Sequence, residues 1–186
     1  RQAQRAAASI SIALAGSGGS GVMTAGTLLL NAAAKAGLYG LMVRTSGPQI
    51  RGGEAAALVR LGEAPTEGLA DRFDLLLAID WQNVHRFADE IPLAATSVIV
   101  GDADGGDAPE VFRGSGARYF PVPFKKTAKG IAGSWANMVA LGVAPCVNQS
   151  ALSSEREKAV KMSAVSASPA SFDSSIAARV ALAREP

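Results

Sequence analysis

"SISIALAGSGGSGVMTAGTLLLNAAAKAG", Ser9–Gly37, runs from an aliphatic segment through a glycine-rich turn into a helical pattern. Gly16, Gly18 and Gly21 satisfy G-x-G-x-x-G, and Gly19 adds another residue without a β-carbon. After the turn, Val22, Ala25, Leu29, Ala32, Ala33 and Ala36 recur at helical spacing, and Gly37 stops the pattern. The stretch therefore reads as strand, turn, helix. Glycines in such a turn allow positive φ and bring backbone N–H groups near an anion at the helix N-terminus. The hydroxyls of Ser17 and Ser20 would add donors.

Outward from this unit, further short aliphatic runs occur at 40–45, 56–61, 74–80, 96–102 and 117–122. Strands alternating with helical segments predict an α/β fold, Rossmann-like, with a largely parallel sheet and helices on both faces. "WQNVHRFADEI" (81–91) carries Val84, Phe87, Ala88 and Ile91 on one side and is ended by Pro92, which predicts a second amphipathic helix. Beyond Gln149 the sequence turns Ser/Ala-rich. The expected division is a domain over 9–149 and a helical tail or linker over 150–186.

Composition narrows the functions. The net charge is +2, with Lys and Arg scattered along the chain, so no basic stripe for nucleic acid is present. A single cysteine, Cys146, and a single histidine, His85, rule out an internal disulfide and supply too few ligands for a cluster or a zinc site on this chain. No apolar run reaches the ~20 residues of a membrane span, and no signal-peptide layout precedes the turn. The reading is a cytoplasmic protein without a membrane partner. The first residue is Arg, which fits either a separate subunit or part of a longer polypeptide.

A dinucleotide site needs an acid about 20 residues after the turn, at the end of the second strand, to hold a ribose hydroxyl. Arg44 stands there instead, in "RTSGPQIRGGE" (44–54). Arg44 would suit a 2′-phosphate, which keeps a free-standing NADP-binding oxidoreductase open as an alternative. Thr45, Ser46, Gly47, Pro48 and Gln49 form a polar turn, and Arg51, framed by glycines, is placed to meet a carboxylate or phosphate. Asp80 and Trp81 end the fourth strand, at the sheet edge where ligands collect. Asp80 also suits a cap on the next helix, and Trp81 either an interface or stacking on an adenine. The candidate ligand-binding set is thus Gly16, Ser17, Gly18, Gly19, Ser20, Gly21, Arg44, Thr45, Ser46, Gly47, Pro48, Gln49, Arg51, Asp80 and Trp81, with no catalytic residue and no metal ligand.

Three other features read more plainly. Asn137 starts an apolar helical run and suits a cap or an interface hydrogen bond. Lys125, Lys126 and Lys129 form a small cationic cluster that either solvates a helix or meets phosphates. "GDADGGDAP" (101–109) reads as a turn after a strand rather than a metal loop.

Taken in order, "GSGGSGVMTAGTLLLNAA", "GPQIRGGEAAALVRL", "DLLLAIDW" with "FADEIPL", and "ANMVALG" resemble the gamma subunit or gamma domain of 2-oxoacid:acceptor (ferredoxin) oxidoreductases, over roughly residues 9–145. The nearest likeness is to the gamma domain of the two-subunit 2-oxoglutarate-type enzymes. The resemblance implies alpha and beta partners that carry thiamine diphosphate, magnesium and 4Fe–4S iron–sulfur clusters, with ferredoxin or another acceptor reached through them. It further implies that the gamma part packs beside the active site and helps admit coenzyme A. A purely structural subunit is the remaining alternative.

Overall fold

The computed structural model describes residues 8–47 and 53–152. The strands are β1 (Ser9–Ser17), β2 (Tyr39–Ser46), β3 (Glu54–Gly62), β4 (Leu75–Ala78), β5 (Val98–Asp102) and β6 (Arg118–Val122), and the helices are α1 (Val22–Lys35), α2 (Glu110–Arg113), α3 (Phe124–Lys129) and α4 (Ala136–Leu152). All of the expected strands are present within a few residues of their sequence positions. They form one sheet in the order β2-β3-β1-β4-β5-β6.

From β1 through β4 and β5 to β6 the pairing is parallel. On the other side, β3 runs antiparallel to both β1 and β2 and lies between them. The fold is α/β with a mostly parallel sheet, as the sequence predicts. The insertion of β3 is not written in any local pattern. It moves the end of β2 two strand spacings, about 10 Å, from β1, so Arg44 does not occupy the place where a dinucleotide fold holds its ribose acid.

Side-chain alternation divides the core by sheet face. Ile12, Leu14, Val59, Leu75, Leu77 and Val100 face α1, α3 and α4, where they meet Val22, Leu29, Phe124 and Val139. On the opposite face the strands present small residues, Ala13, Ala15, Ala56 and Ala78, beneath Phe73, Trp81, Phe87, Ile91 and Phe112. Aromatic side chains from connecting segments fill the room that these alanines leave. Among the described residues this second face carries short helical pieces, α2 and a 3-10 turn over Val84–Phe87.

That 3-10 turn corrects the amphipathic helix expected over 81–91. Asn83 adopts φ 59°, a left-handed conformation in which the helix cannot start earlier, and the turn spans only Val84–Phe87. Val84 and Phe87 are buried three residues apart, and i,i+3 spacing satisfies a 3-10 turn as well as an α-helix. Helix α4 crosses the expected boundary at 149/150 and reaches Leu152. The remainder of the expected tail lies outside the described residues. No helix among the described residues is long and apolar enough to cross a membrane.

Candidate functional site

The glycine turn leaves β1 at Ser17 and enters α1 at Val22. Gly19 and Gly21 have φ 97° and 87°, so both positions use the freedom that a β-carbon would remove. A β-carbon on Gly16 would lie 2.6 Å from Ser20 Oγ and 3.3 Å from Asp80 Oδ2, and one on Gly21 would collide with the Asn137 side chain. Asn137 Nδ2 donates to the Gly21 carbonyl at 3.2 Å, which ties the start of α4 to the start of α1.

Asp80 lies on the other side of the turn. Its carboxylate accepts from Ser17 N (3.0 Å to each oxygen), Ser17 Oγ (2.7 Å) and Gln82 N (3.0 Å). The cap expected of Asp80 is therefore only a local bond to Gln82. Its larger engagement is with a residue 63 positions earlier. Within the turn, Ser20 N and Ser20 Oγ both donate to the Ser17 carbonyl, and Gly18 N donates to the Gly53 carbonyl.

The Gly18–Gly53 bond brings the second glycine segment against the first. Gly47 N donates to the Glu54 carbonyl at 3.0 Å, and Ser17 pairs in register with Glu54. Among the sequence-predicted residues, Gly16, Ser17, Gly18, Gly19, Ser20, Gly21, Ser46, Gly47 and Asp80 thus meet at one end of the sheet. Arg44 and Thr45 lie on β2, with Arg44 exposed. Pro48, Gln49 and Arg51 fall outside the described residues.

Trp81 is 7% exposed and lies in the core of its own chain, across Gly101 and edge-on to Tyr119 (centroids 6.1 Å apart, 65° between planes). Its ring does not stand open to an adenine or to another subunit. The exposed indole at this end is Trp135, 74% exposed, two residues before Asn137. Trp135 is absent from the candidate set, because an aromatic just before a helix start carries no periodic signal that it faces outward.

Glu54 was likewise missed as a site residue. It is 4% exposed, and Arg86 Nη1 lies 3.2 Å from both of its oxygens. Its own backbone amide, followed by the Arg86 guanidinium, holds the carboxyl below the usual carboxylate range against the opposing effect of burial. The available signal was an acid at the head of the apolar run Ala55 to Val59. Of the lysine cluster, Lys125 reaches Asp102 at 3.6 Å, and the backbone amide of Lys126 donates to Asp104 Oδ2 at 2.9 Å. "GDADGGDAP" is thus a turn in which Asp102 and Asp104 serve α3. Among the described residues no group of His, Cys, Asp and Glu is arranged to hold a metal ion. With Asp102 and Asp104 committed in this way, the loop does not fit a magnesium–diphosphate group.

The family model for pyruvate ferredoxin/flavodoxin oxidoreductase matches residues 11–174. The 2-oxoglutarate synthase subunit KorC of Methanothermobacter thermautotrophicus is 29% identical over 136 residues, covering 70% of this chain and 72% of its own. The ketoisovalerate oxidoreductase subunit VorA of the same organism is 30% identical over 149 residues, covering 78% of this chain but only 30% of its own. A solved 2-oxoglutarate:ferredoxin oxidoreductase from Magnetococcus marinus, with 2-oxoglutarate, coenzyme A and succinyl-CoA bound, superposes with a TM-score of 0.61 at 27% identity, over 86% of this chain and 30% of that one. The gamma subunit of a keto/oxoacid ferredoxin oxidoreductase from Geobacter sulfurreducens shares the fold, with a TM-score of 0.58 at 22% identity over 95% of this chain and 87% of that one. The chain belongs to the pyruvate ferredoxin/flavodoxin oxidoreductase family.

Proposed function

We propose that this chain is a non-catalytic gamma component that packs beside a thiamine-diphosphate active site built by alpha and beta partners. The assembled enzyme would convert a 2-oxoacid, coenzyme A and oxidised acceptor into acyl-coenzyme A, carbon dioxide and reduced acceptor, with the two electrons leaving to ferredoxin or another acceptor. Thiamine diphosphate with magnesium and the iron–sulfur clusters on partner chains supply the carbanion and electron-transfer chemistry. The assembly works in the cytoplasm.

The observation that carries this reading is the family match across most of the chain, joined to the meeting of both glycine segments at one sheet end. In the proposal the exposed Gly18 and Gly19 and the segment Arg44 to Gly47 face the partners and the coenzyme A path, and Arg51, outside the described residues, is assigned to the same path from its sequence position alone. Asp80 and Trp81 support that rim from behind. The described donors do not favour the NADP alternative, because Ser17, Gly18 and Ser20 amides are already bonded and Arg44 is displaced by β3.

Purification of the native assembly tests the proposal: the chain should copurify with a thiamine-containing subunit, and a monomer free of such a partner overturns it. In the assembled enzyme, Arg51→Ala is expected to raise KM for coenzyme A by about tenfold with assembly intact. Unchanged kinetics would assign the segment to packing.

A further inference from the structure

We infer that Asp80 is a built-in anion of the glycine turn: its carboxylate takes the donor set that a ligand carboxylate or phosphate would otherwise take at Ser17. Three donor groups converge on it, Ser17 N, Ser17 Oγ and Gln82 N, at 2.7–3.0 Å. Asp80 as a residue is 7% exposed, so these bonds stand in for most of the water its carboxylate would hold. Charge-assisted bonds of this length are about twice as strong as neutral ones.

The fingerprint glycines also have internal reasons. Gly16 leaves room for Asp80 Oδ2 and Ser20 Oγ, and Gly21 leaves room for Asn137. Gly18 gives its amide to Gly53. A phosphate brought to Ser17 would have to displace a buried carboxylate of like charge or lie against it. The sequence has the spacing of a nucleotide turn, but at Ser17 the turn is closed by its own chain. Asp80 thereby fastens the end of β1 to the segment that carries Trp81, and acts as a positioning residue rather than a ligand contact.

The test removes the carboxylate and returns it in solution. In the full chain, Asp80→Ala should lower Tm by about 4–8 °C, the loss of hydrogen bonds to a charged group in a protein of this size. Excess sodium formate should restore more than half of that loss in the variant, while sodium chloride at equal ionic strength does not. Formate should move the wild type by less than about 1 °C. By NMR, the Ser17 and Gln82 amide resonances should shift with formate in the variant only.

Equal formate effects on both proteins, or an unchanged Tm in Asp80→Ala, overturn the inference. So does saturable movement of the wild-type Ser17 amide with inorganic phosphate or ADP. Should Asp80→Ala fail to fold, Asp80→Asn keeps the size and one acceptor oxygen, and its Ser17 and Gln82 amides should exchange at least about tenfold faster than in the wild type. Unchanged exchange there also overturns the inference. Coenzyme A bound at the outer rim would leave Ser17 unmoved, so failure of the coenzyme A reading and failure of this one give different results.

Discussion

Asp102, at the end of β5, is fully buried, and burial pushes its carboxyl above the usual carboxylate range against the opposing effects of the Asp104 amide and Lys125. A carboxyl raised in the folded state contributes full stability below its ordinary value of 3.8 and loses it as pH rises through the raised folded value. Asp102→Asn removes that loss. Lys125 is 57% exposed, so the substitution leaves no buried lysine without a partner. Thermal melts across pH should show Asp102→Asn above the wild type at neutral pH, with the two curves converging below pH 3.8. A gap of constant size at every pH would contradict burial of the charge as its cause.

Strand β5 meets the connection after β4 through Gly101, where the six-membered part of the Trp81 indole lies against the backbone. A β-carbon at Gly101 would enter the ring, so Gly101→Ala should cost about 1–3 kcal/mol by overpacking. Chemical denaturation would measure the cost, and tryptophan fluorescence would report the displaced ring. This contact also explains which elements could be read in advance. Aliphatic runs between turn residues mark the central strands β1, β3, β4 and β5 most clearly, because a strand buried on both faces needs little else in its sequence. The segment 81–91 was misjudged because its apolar spacing records burial and not how the backbone winds. Trp81 turned into the space above Gly101, and Asn83 turned left-handed, are both set by what lies across the sheet.

Over the whole molecule the sheet has unlike edges. β6 carries Pro121 and the exposed Arg118, both of which discourage pairing with another strand. β2 is eight residues long, lacks proline and exposes Tyr39 and Val43. A chain expressed without its partners should therefore self-associate through β2 as its concentration rises. Val43→Lys should reduce that association, with fold stability changed by no more than about 0.5 kcal/mol. Sedimentation velocity beside a melting curve would check it, and association unaffected by the substitution would exclude this edge.

The sequence by itself determined the strand–turn–helix unit, the α/β class and the family, because these rest on local spacing and on motifs read in chain order. Ser17, Gly21 and Gly47 were legible as members of one candidate set. Their partners were not. That Asp80 closes on Ser17, that Glu54 is paired with Arg86, and that β3 stands between β1 and β2 was decided only by the tertiary structure. These pairings join residues distant in the chain, and long-range hydrogen bonds and strand order leave no periodic trace in a single sequence. The physical result is that a turn spaced like a nucleotide site holds a carboxylate of its own chain.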